Sequence, residues 1–377
     1  MLEPLREFKI GKPQIFAGLL LLAFLAQCLW VAGSRRFSDL EYEYIASGHR
    51  DRPGMEFRVT SPATSAIAAL TLRLTAALHN VAPARLRAAL AIPRPWLFRL
   101  PFVMFGLWLG GALWWVARRL FGDEGGYIAL ALYCFSPAMI MVSSNIGPEI
   151  ILAWSSFGLI YTAIGVAHTV YASPRKWVPR IALLGISIGV CLSTTLWSFT
   201  VVVLAFAFMF YLTPGRRREV LVVLGGASAI GLCLLGFLAW VSGSVGVKTW
   251  ALITPRPTLD LVRNLWFALA DGYVLVALLV FALAAYGSWP RARYFGNTAP
   301  LITSFLTVLL FTLVPAIHIW NPVLGLSFIF VFVGGVAADL LETQARPSFA
   351  FFFVGCVLLK AISSLILLGR WAQQNFL

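Results

Sequence analysis

Continuous apolar runs, each close to the length of a membrane crossing and separated by short polar connections, limit what this chain can fold into. A helix needs about 20 mostly apolar residues to cross a bilayer. Hydrocarbon offers the backbone no partners, so only helices and closed barrels span it. Barrel strands would alternate apolar and polar residues, and these runs do not alternate. The rule gives about eleven spans, at 15–33, 97–117, 126–143, 150–170, 179–193, 196–213, 219–241, 265–287, 299–316, 322–341 and 348–369. Only 12% of the residues are charged and 60% are hydrophobic, against about 25% charged in soluble domains. That excludes a cytosolic enzyme, a disordered tail and a disulfide-built secreted module. The expected class is an all-α polytopic membrane protein, one transmembrane domain over residues 1–377.

The fifth and sixth spans are divided at Ser193-Thr194-Thr195, with one long bent helix over 179–213 as the alternative. The first span is too long for a cleavable signal, and no small-residue cleavage site precedes Arg35-Arg36. The five cysteines, Cys28, Cys134, Cys191, Cys233 and Cys356, all fall inside apolar runs without metal-ligand spacing and are expected as small buried hydrophobes.

A net charge of +14 would suggest nucleic acid in a soluble chain; here it encodes topology instead. Basic residues gather in alternate connections: Arg6, Lys9 and Lys12; Arg118 and Arg119; Arg175, Lys176 and Arg180; Arg216 to Arg218; Arg291 and Arg293; Arg346. The intervening short loops, 144–149, 194–195 and 317–321, carry no Lys or Arg. The positive-inside rule then puts the N-terminus in the cytoplasm and the C-terminus outside a plasma (inner) membrane. Two longer loops, 34–96 and 242–264, face outside and hold most of the extracytoplasmic polar residues. Within the first, residues 62–80 have Ile67, Leu70, Leu74 and Leu78 at helical spacing, and residues 83–92 suggest a second short helix. Both suit the interface plane.

The first outer loop opens with Asp39, Glu41 and Glu43 at i, i+2, i+4. In a helix Asp39 and Glu43 share a face and Glu41 points elsewhere; in extended chain all three line one side. Like charges this close raise one another's pKa or recruit a cation. The stretch is therefore either a solvated acidic turn balancing Arg35-Arg36, or a general base or metal site. A metal bridging Asp39 and Glu41 through hard oxygen ligands would be Mg²⁺ or Mn²⁺. Glu149 opens the fourth span; it is either a carboxylate placed against the helix dipole or a second acid on the same face as Asp39. Asp271 lies near the outer end of the eighth span, where an acid faces a polar cavity or a basic partner. His318 and His49 are interface residues or ligands. There is no phosphate-binding loop, nucleophile elbow or zinc motif, and no inverted repeat of a secondary transporter.

The order of these features resembles the GT-C superfamily of membrane glycosyltransferases, which use polyprenyl-phosphate sugars and include protein mannosyltransferases and aminoarabinose-lipid A transferases. The likeness rests on the acid- and Tyr-rich start of the first loop, Arg99-Leu100-Pro101 through Arg118-Arg119-Leu120-Phe121-Gly122, the third span with Ser136-Pro137, and Pro148-Glu149 in place of a Pro-Asp. It covers roughly residues 15–215. It implies an inverting transfer from a polyprenyl-phosphate sugar to an acceptor hydroxyl at the outer face, with membrane lipid as surroundings and no nucleic-acid partner. Carried over, the base is Asp39 or Glu41, with Glu149 as second acid. Glu43, Lys248, Arg256, Arg263 and His318 become substrate-binding candidates, the three basic ones for the donor phosphate. Departures exist: Leu40 separates Asp39 from Glu41, and His318-Ile319-Trp320-Asn321-Pro322 stands where the family often has a basic element. These keep open a non-catalytic GT-C-like subunit of a larger membrane assembly and, third, a transporter of a lipid-linked sugar.

Overall fold

A computed structural model describes residues 11–47, 61–81, 95–171, 177–195, 198–242, 272–313, 323–343 and 345–374. All regular structure among the described residues is helical, with no strand. In chain order the helices are α1 (Lys12–Ser34), α2 (Asp39–Ser47), α3 (Pro62–Val81), α4 (Pro95–Cys134), α5 (Pro137–Ser143), α6 (Pro148–Thr169), α7 (Val178–Thr194), α8 (Phe199–Leu212), α9 (Arg217–Val241), α10 (Tyr273–Ser288), α11 (Phe295–Leu313), α12 (Val323–Leu341) and α13 (Arg346–Gln374). Six of them are long and apolar enough to cross a membrane, and four shorter apolar helices accompany them. The expected break after Ser193-Thr194-Thr195 is present, since α7 ends at Thr194 and α8 begins at Phe199.

Helix α4 is two arms folded back at Gly122, whose φ of 80° and ψ of −175° lie where only glycine is comfortable. The antiparallel pairing shows in Tyr133, which donates its hydroxyl to the Gly106 carbonyl at 2.6 Å, and in Gly126, which abuts the Arg118 backbone. The second arm stops at Cys134. Ser136 then caps α5 by accepting from the Met139 N–H at 3.2 Å, with Pro137 in the first turn.

Helix α12 forms the centre, with Phe328, Phe330 and Phe332 fully buried. It packs on both arms of α4 and on α6, α10, α11 and α13. Gly334 sits directly on the Gly125 carbonyl, an approach any Cβ would obstruct. A second close crossing joins Gly185 and Gly189 of α7 to Gly231 of α9. Small residues that let backbones meet are how helices associate without a hydrophobic drive between them.

Helix α3 packs against α2, α4, α6, α7 and α9. Its inward face is small, with Ala63, Thr64, Ala68 and Thr71 buried, while Leu70 and Leu74 are 57% and 54% exposed. The leucine stripe thus points away from the bundle, as suits an interfacial helix. The Leu78 side chain and residues 83–92 lie outside the described residues. The cysteine expectation needs correcting. Cys28, Cys134 and Cys191 are buried, but Cys233 is exposed and Cys356 intermediate. An apolar run predicts an apolar environment, not protein contact, and a span side chain can meet that environment on its outer surface.

At one end of the bundle the α4 bend, the α10–α11 connection and the α12–α13 connection are tied together by Arg291–Glu342 and Arg346–Glu124. These are connections that the charge pattern assigns to a common side. At the other end α1, α2, the start of α4 and the α5–α6 loop converge.

Candidate active site

Helix α2 follows α1 after a four-residue turn and starts with a capping box. Ser38 Oγ accepts from the Glu41 N–H at 3.3 Å, and Glu41 Oε2 accepts from the Ser38 N–H at 2.8 Å. This fixes the phase of the three acids. Glu41 turns inward, only 3% exposed; Asp39 remains exposed in the first turn, and Glu43 lies one turn beyond Asp39.

Inside, Glu41 meets Arg99 of α4, itself 1% exposed. Arg99 Nε donates to Glu41 Oε1 at 2.8 Å and Nη2 donates to Oε2 at 2.7 Å, a bidentate pair. The Ile146 N–H donates to Glu41 Oε1 at 3.0 Å. The remaining Arg99 donors go to the Ala32, Arg35 and Arg36 carbonyls, each at 2.8 Å. All five guanidinium N–H groups are therefore used. One side chain closes the C-terminal end of α1, where carbonyls lack partners, and holds the acid-bearing helix to α4. Phe37 lies beneath the guanidinium at 5.3 Å. Burial alone pushes the Glu41 carboxyl up. The Arg99 bonds and charge, with the Ser38 and Ile146 N–H groups, outweigh it and bring the group below its ordinary value.

The α5–α6 loop joins the same end. Arg35 donates to Asn145 Oδ1 at 3.3 Å, and Ser144 Oγ donates to the Cys28 carbonyl at 3.1 Å. Glu149 folds back over Gly147, its Oε2 only 2.2 Å from where a Gly147 Cβ would be, so any added side chain there would make this carboxylate move. Tyr44 of α2 is buried. Its phenol is pushed well up, first by burial and then by the carboxylates of Glu149 and Glu43, so these two acids and the phenol share one environment. Glu43 Oε2 is screened from solvent and accepts no hydrogen bond among the described residues.

Asp39, Glu43 and Glu149 are thus gathered at one end of the bundle, while Glu41 is committed to Arg99. A metal bridging Asp39 and Glu41 does not fit: one carboxylate is exposed, and the other already accepts four N–H donors. Among the described residues no three His, Cys, Asp or Glu side chains come together as a metal set. Lys248, Arg256, Arg263, Asp271, His318 and His49 lie outside the described residues. Sequence reasoning missed the part played by Arg99. Two signals were available: the Ser38-x-x-Glu41 capping box, and an arginine inside an apolar run at the end where the short loops lack cations.

Compared with solved structures, the chain matches ArnT from Cupriavidus metallidurans in the apo state with a TM-score of 0.65 at 13% identity, over 89% of this chain and 61% of that one. The same protein bound to undecaprenyl phosphate matches with a TM-score of 0.65 at 12% identity, over 96% of this chain and 73% of that one. The chain has a GT-C fold. The Archaeoglobus fulgidus oligosaccharyltransferase in the apo form matches more loosely, with a TM-score of 0.56 at 13% identity, over 98% of this chain and 56% of that one. This chain therefore spans about three fifths of the first ArnT chain and just over half of the oligosaccharyltransferase. The family model for dolichyl-phosphate-mannose-protein mannosyltransferase matches residues 81–242. No curated protein matches by sequence. The GT-C resemblance read from residues 15–215 thus holds for the fold, and the apolar helices are those of a multi-pass membrane protein.

Proposed function

We propose that this GT-C chain moves a sugar from a polyprenyl-phosphate donor to an acceptor hydroxyl at the extracytoplasmic face of the plasma (inner) membrane. The observation that carries the proposal is the division of labour in α2. Glu41 is consumed in a buried pair with Arg99, which presents Asp39, exposed and rigidly phased, at the end of the bundle where Glu149 and Glu43 also lie. Asp39 is then the base. Its carboxylate takes the proton of the acceptor hydroxyl as that oxygen attacks the anomeric carbon. The bond from that carbon to the phosphate oxygen breaks, and polyprenyl phosphate leaves with the electron pair. One displacement inverts the configuration. Base assistance of this kind is generally worth about 10²–10⁴-fold.

Glu149 and Glu43 serve as acceptor-side carboxylates, able to accept hydrogen bonds from other hydroxyls of the acceptor or sugar. Arginine suits a leaving phosphate through its forked donors, and Lys248, Arg256 and Arg263 of the 242–264 loop are assigned that role, with His318 as a further substrate-binding candidate. Support comes from the GT-C fold, the mannosyltransferase model over 81–242 and the undecaprenyl phosphate bound to an ArnT of the same fold.

The test is transfer by purified protein from a panel of polyprenyl-phosphate sugars, comparing Asp39→Asn with Glu41→Gln. Loss of turnover in Asp39→Asn with an unchanged unfolding midpoint supports the assignment. Full turnover in Asp39→Asn rejects Asp39 as base, and function of both variants in cells without any turnover favours a non-catalytic subunit.

A further inference from the structure

The arginine-rich end of the bundle is electrically divided. Around the α4 bend and the α10–α11 and α12–α13 connections three arginines pair with acids, Arg118 with Asp123, Arg291 with Glu342 and Arg346 with Glu124, while Arg119 lies over the Trp115 ring. Arg293 donates to the Tyr286 and Gly287 carbonyls. The α6–α7 and α8–α9 connections differ. In sequence they carry Arg175, Lys176, Arg180, Arg216, Arg217 and Arg218 against the single acid Glu219. Among the described residues Arg180, Arg216, Arg217 and Arg218 form no ion pair.

These cations are held in place rather than trailing in solvent. Arg216 Nη1 donates to the Val170 carbonyl at 3.1 Å, and its guanidinium lies over the Tyr171 ring at 5.3 Å. Arg180 Nη1 donates to the Gly165 carbonyl at 3.1 Å. The two connections are thereby pinned together at the C-terminal end of α6, with Arg217 and Arg218 exposed beside them. Each guanidinium fixed this way uses one or two donors and keeps the others free. The exposed aromatic and apolar residues around the patch, Tyr171, Val178 and Tyr211, place it at the boundary of the apolar helices, where phospholipid head groups lie.

We propose that this face is a docking site for anionic phospholipid head groups, whose phosphates are clasped by Arg216, Arg217, Arg218 and Arg180. The observation that selects the ligand is charge balance: the α4 bend and the α10–α11 and α12–α13 connections set five arginines against Asp123, Glu124, Asp339 and Glu342, whereas the α6–α7 and α8–α9 connections set six cations against Glu219 alone. The site is separate from the acids of α2, at the opposite end of the bundle, and does not depend on the function proposed above.

The test uses the full chain reconstituted in nanodiscs of phosphatidylcholine with phosphatidylglycerol, followed by native mass spectrometry of retained lipid. The parent is expected to retain phosphatidylglycerol over phosphatidylcholine. Arg216→Gln/Arg217→Gln/Arg218→Gln should lower that preference by about tenfold or more, since each cation near an anionic surface is worth about fivefold. The lysine triple variant should keep most of it. Arg291→Gln/Arg346→Gln, which removes paired arginines, should leave it unchanged. If the glutamine variant does not fold, raising salt on the parent reads the same contact, because phosphate contacts of this kind are screened. Equal retention of the two lipids, equal loss in the Arg291→Gln/Arg346→Gln protein, or displacement of the lipid by inorganic phosphate at similar concentration overturns the proposal, the last in favour of a site for free phosphate.

Discussion

Replacing Arg99 with methionine removes a side chain whose hydrogen bonds join α1, α2 and α4 at the candidate site. The methionine fits the apolar surroundings but leaves Glu41, 3% exposed, as a buried carboxylate with only the Ser38 and Ile146 N–H groups. Breaking a buried pair in this way costs about 3–5 kcal/mol. Three carbonyls, of Ala32, Arg35 and Arg36, also lose their donor, although water at the helix end can replace part of that. Glu41→Gln strands the Arg99 guanidinium, 1% exposed, and should also cost about 3–5 kcal/mol, although the Ala32, Arg35 and Arg36 carbonyls still accept from it. The double variant should therefore be more stable than the two losses added together, with a coupling of about 0.5–3 kcal/mol. The unfolding midpoint in a fixed detergent ranks the variants. Hydrogen exchange then asks whether the loss is local: α2 amides in Arg99→Met should lose about a hundredfold or more in protection, since each 1.4 kcal/mol is about tenfold. If Arg99→Met stays within about 0.5 kcal/mol of the parent, or if the two substitutions simply add, the pair is not what holds α2.

Acid should act through the same pair. The Glu41 carboxyl is held below its unfolded value, so its contribution is fully present above the ordinary carboxylate range and is lost as pH falls through the lowered folded value. Unfolding midpoints from pH 7 to pH 3 should fall less steeply in Glu41→Gln than in the parent, and parallel curves would contradict this. Asp39→Asn should abolish transfer while leaving the midpoint unchanged, because the side chain is exposed; a transfer assay beside a melting curve separates the two effects. Gly147→Ala should displace the Glu149 carboxyl, which occupies the space of the added Cβ, and lower turnover at a stability cost of about 0.3–1 kcal/mol, the worth of a carboxylate at a helix N-terminus. Gly231→Val at the α7–α9 crossing, where a Cβ already falls 2.7 Å from Ile188 Cγ2, should cost about 1–3 kcal/mol by overpacking, read as a lower midpoint with no effect on the Asp39 assignment.

Sequence periodicity and charge determined the helical class, the approximate place of the apolar helices among the described residues and the break after Ser193-Thr194-Thr195, although the single span expected over 126–143 is broken between Cys134 and Pro137. Lipid leaves the backbone few options, and a bilayer imposes one length on all crossings. The sequence also brought Asp39, Glu41, Glu43 and Glu149 forward as the acids to examine, because carboxylates are scarce in the chain, 15 in all. It left Asp39 and Glu41 equivalent. Spacing fixes which residues share a helix face but not which face is turned toward a neighbour, and the neighbour here is Arg99, 58 residues away. Only the tertiary structure spends Glu41 on that arginine and leaves Asp39 outward. The same holds for the basic end. Counting arginines gives only an expected topology, whereas deciding which of them are paired required the folded positions of Glu124, Glu342 and Asp123, because an ion pair is set by distance in space.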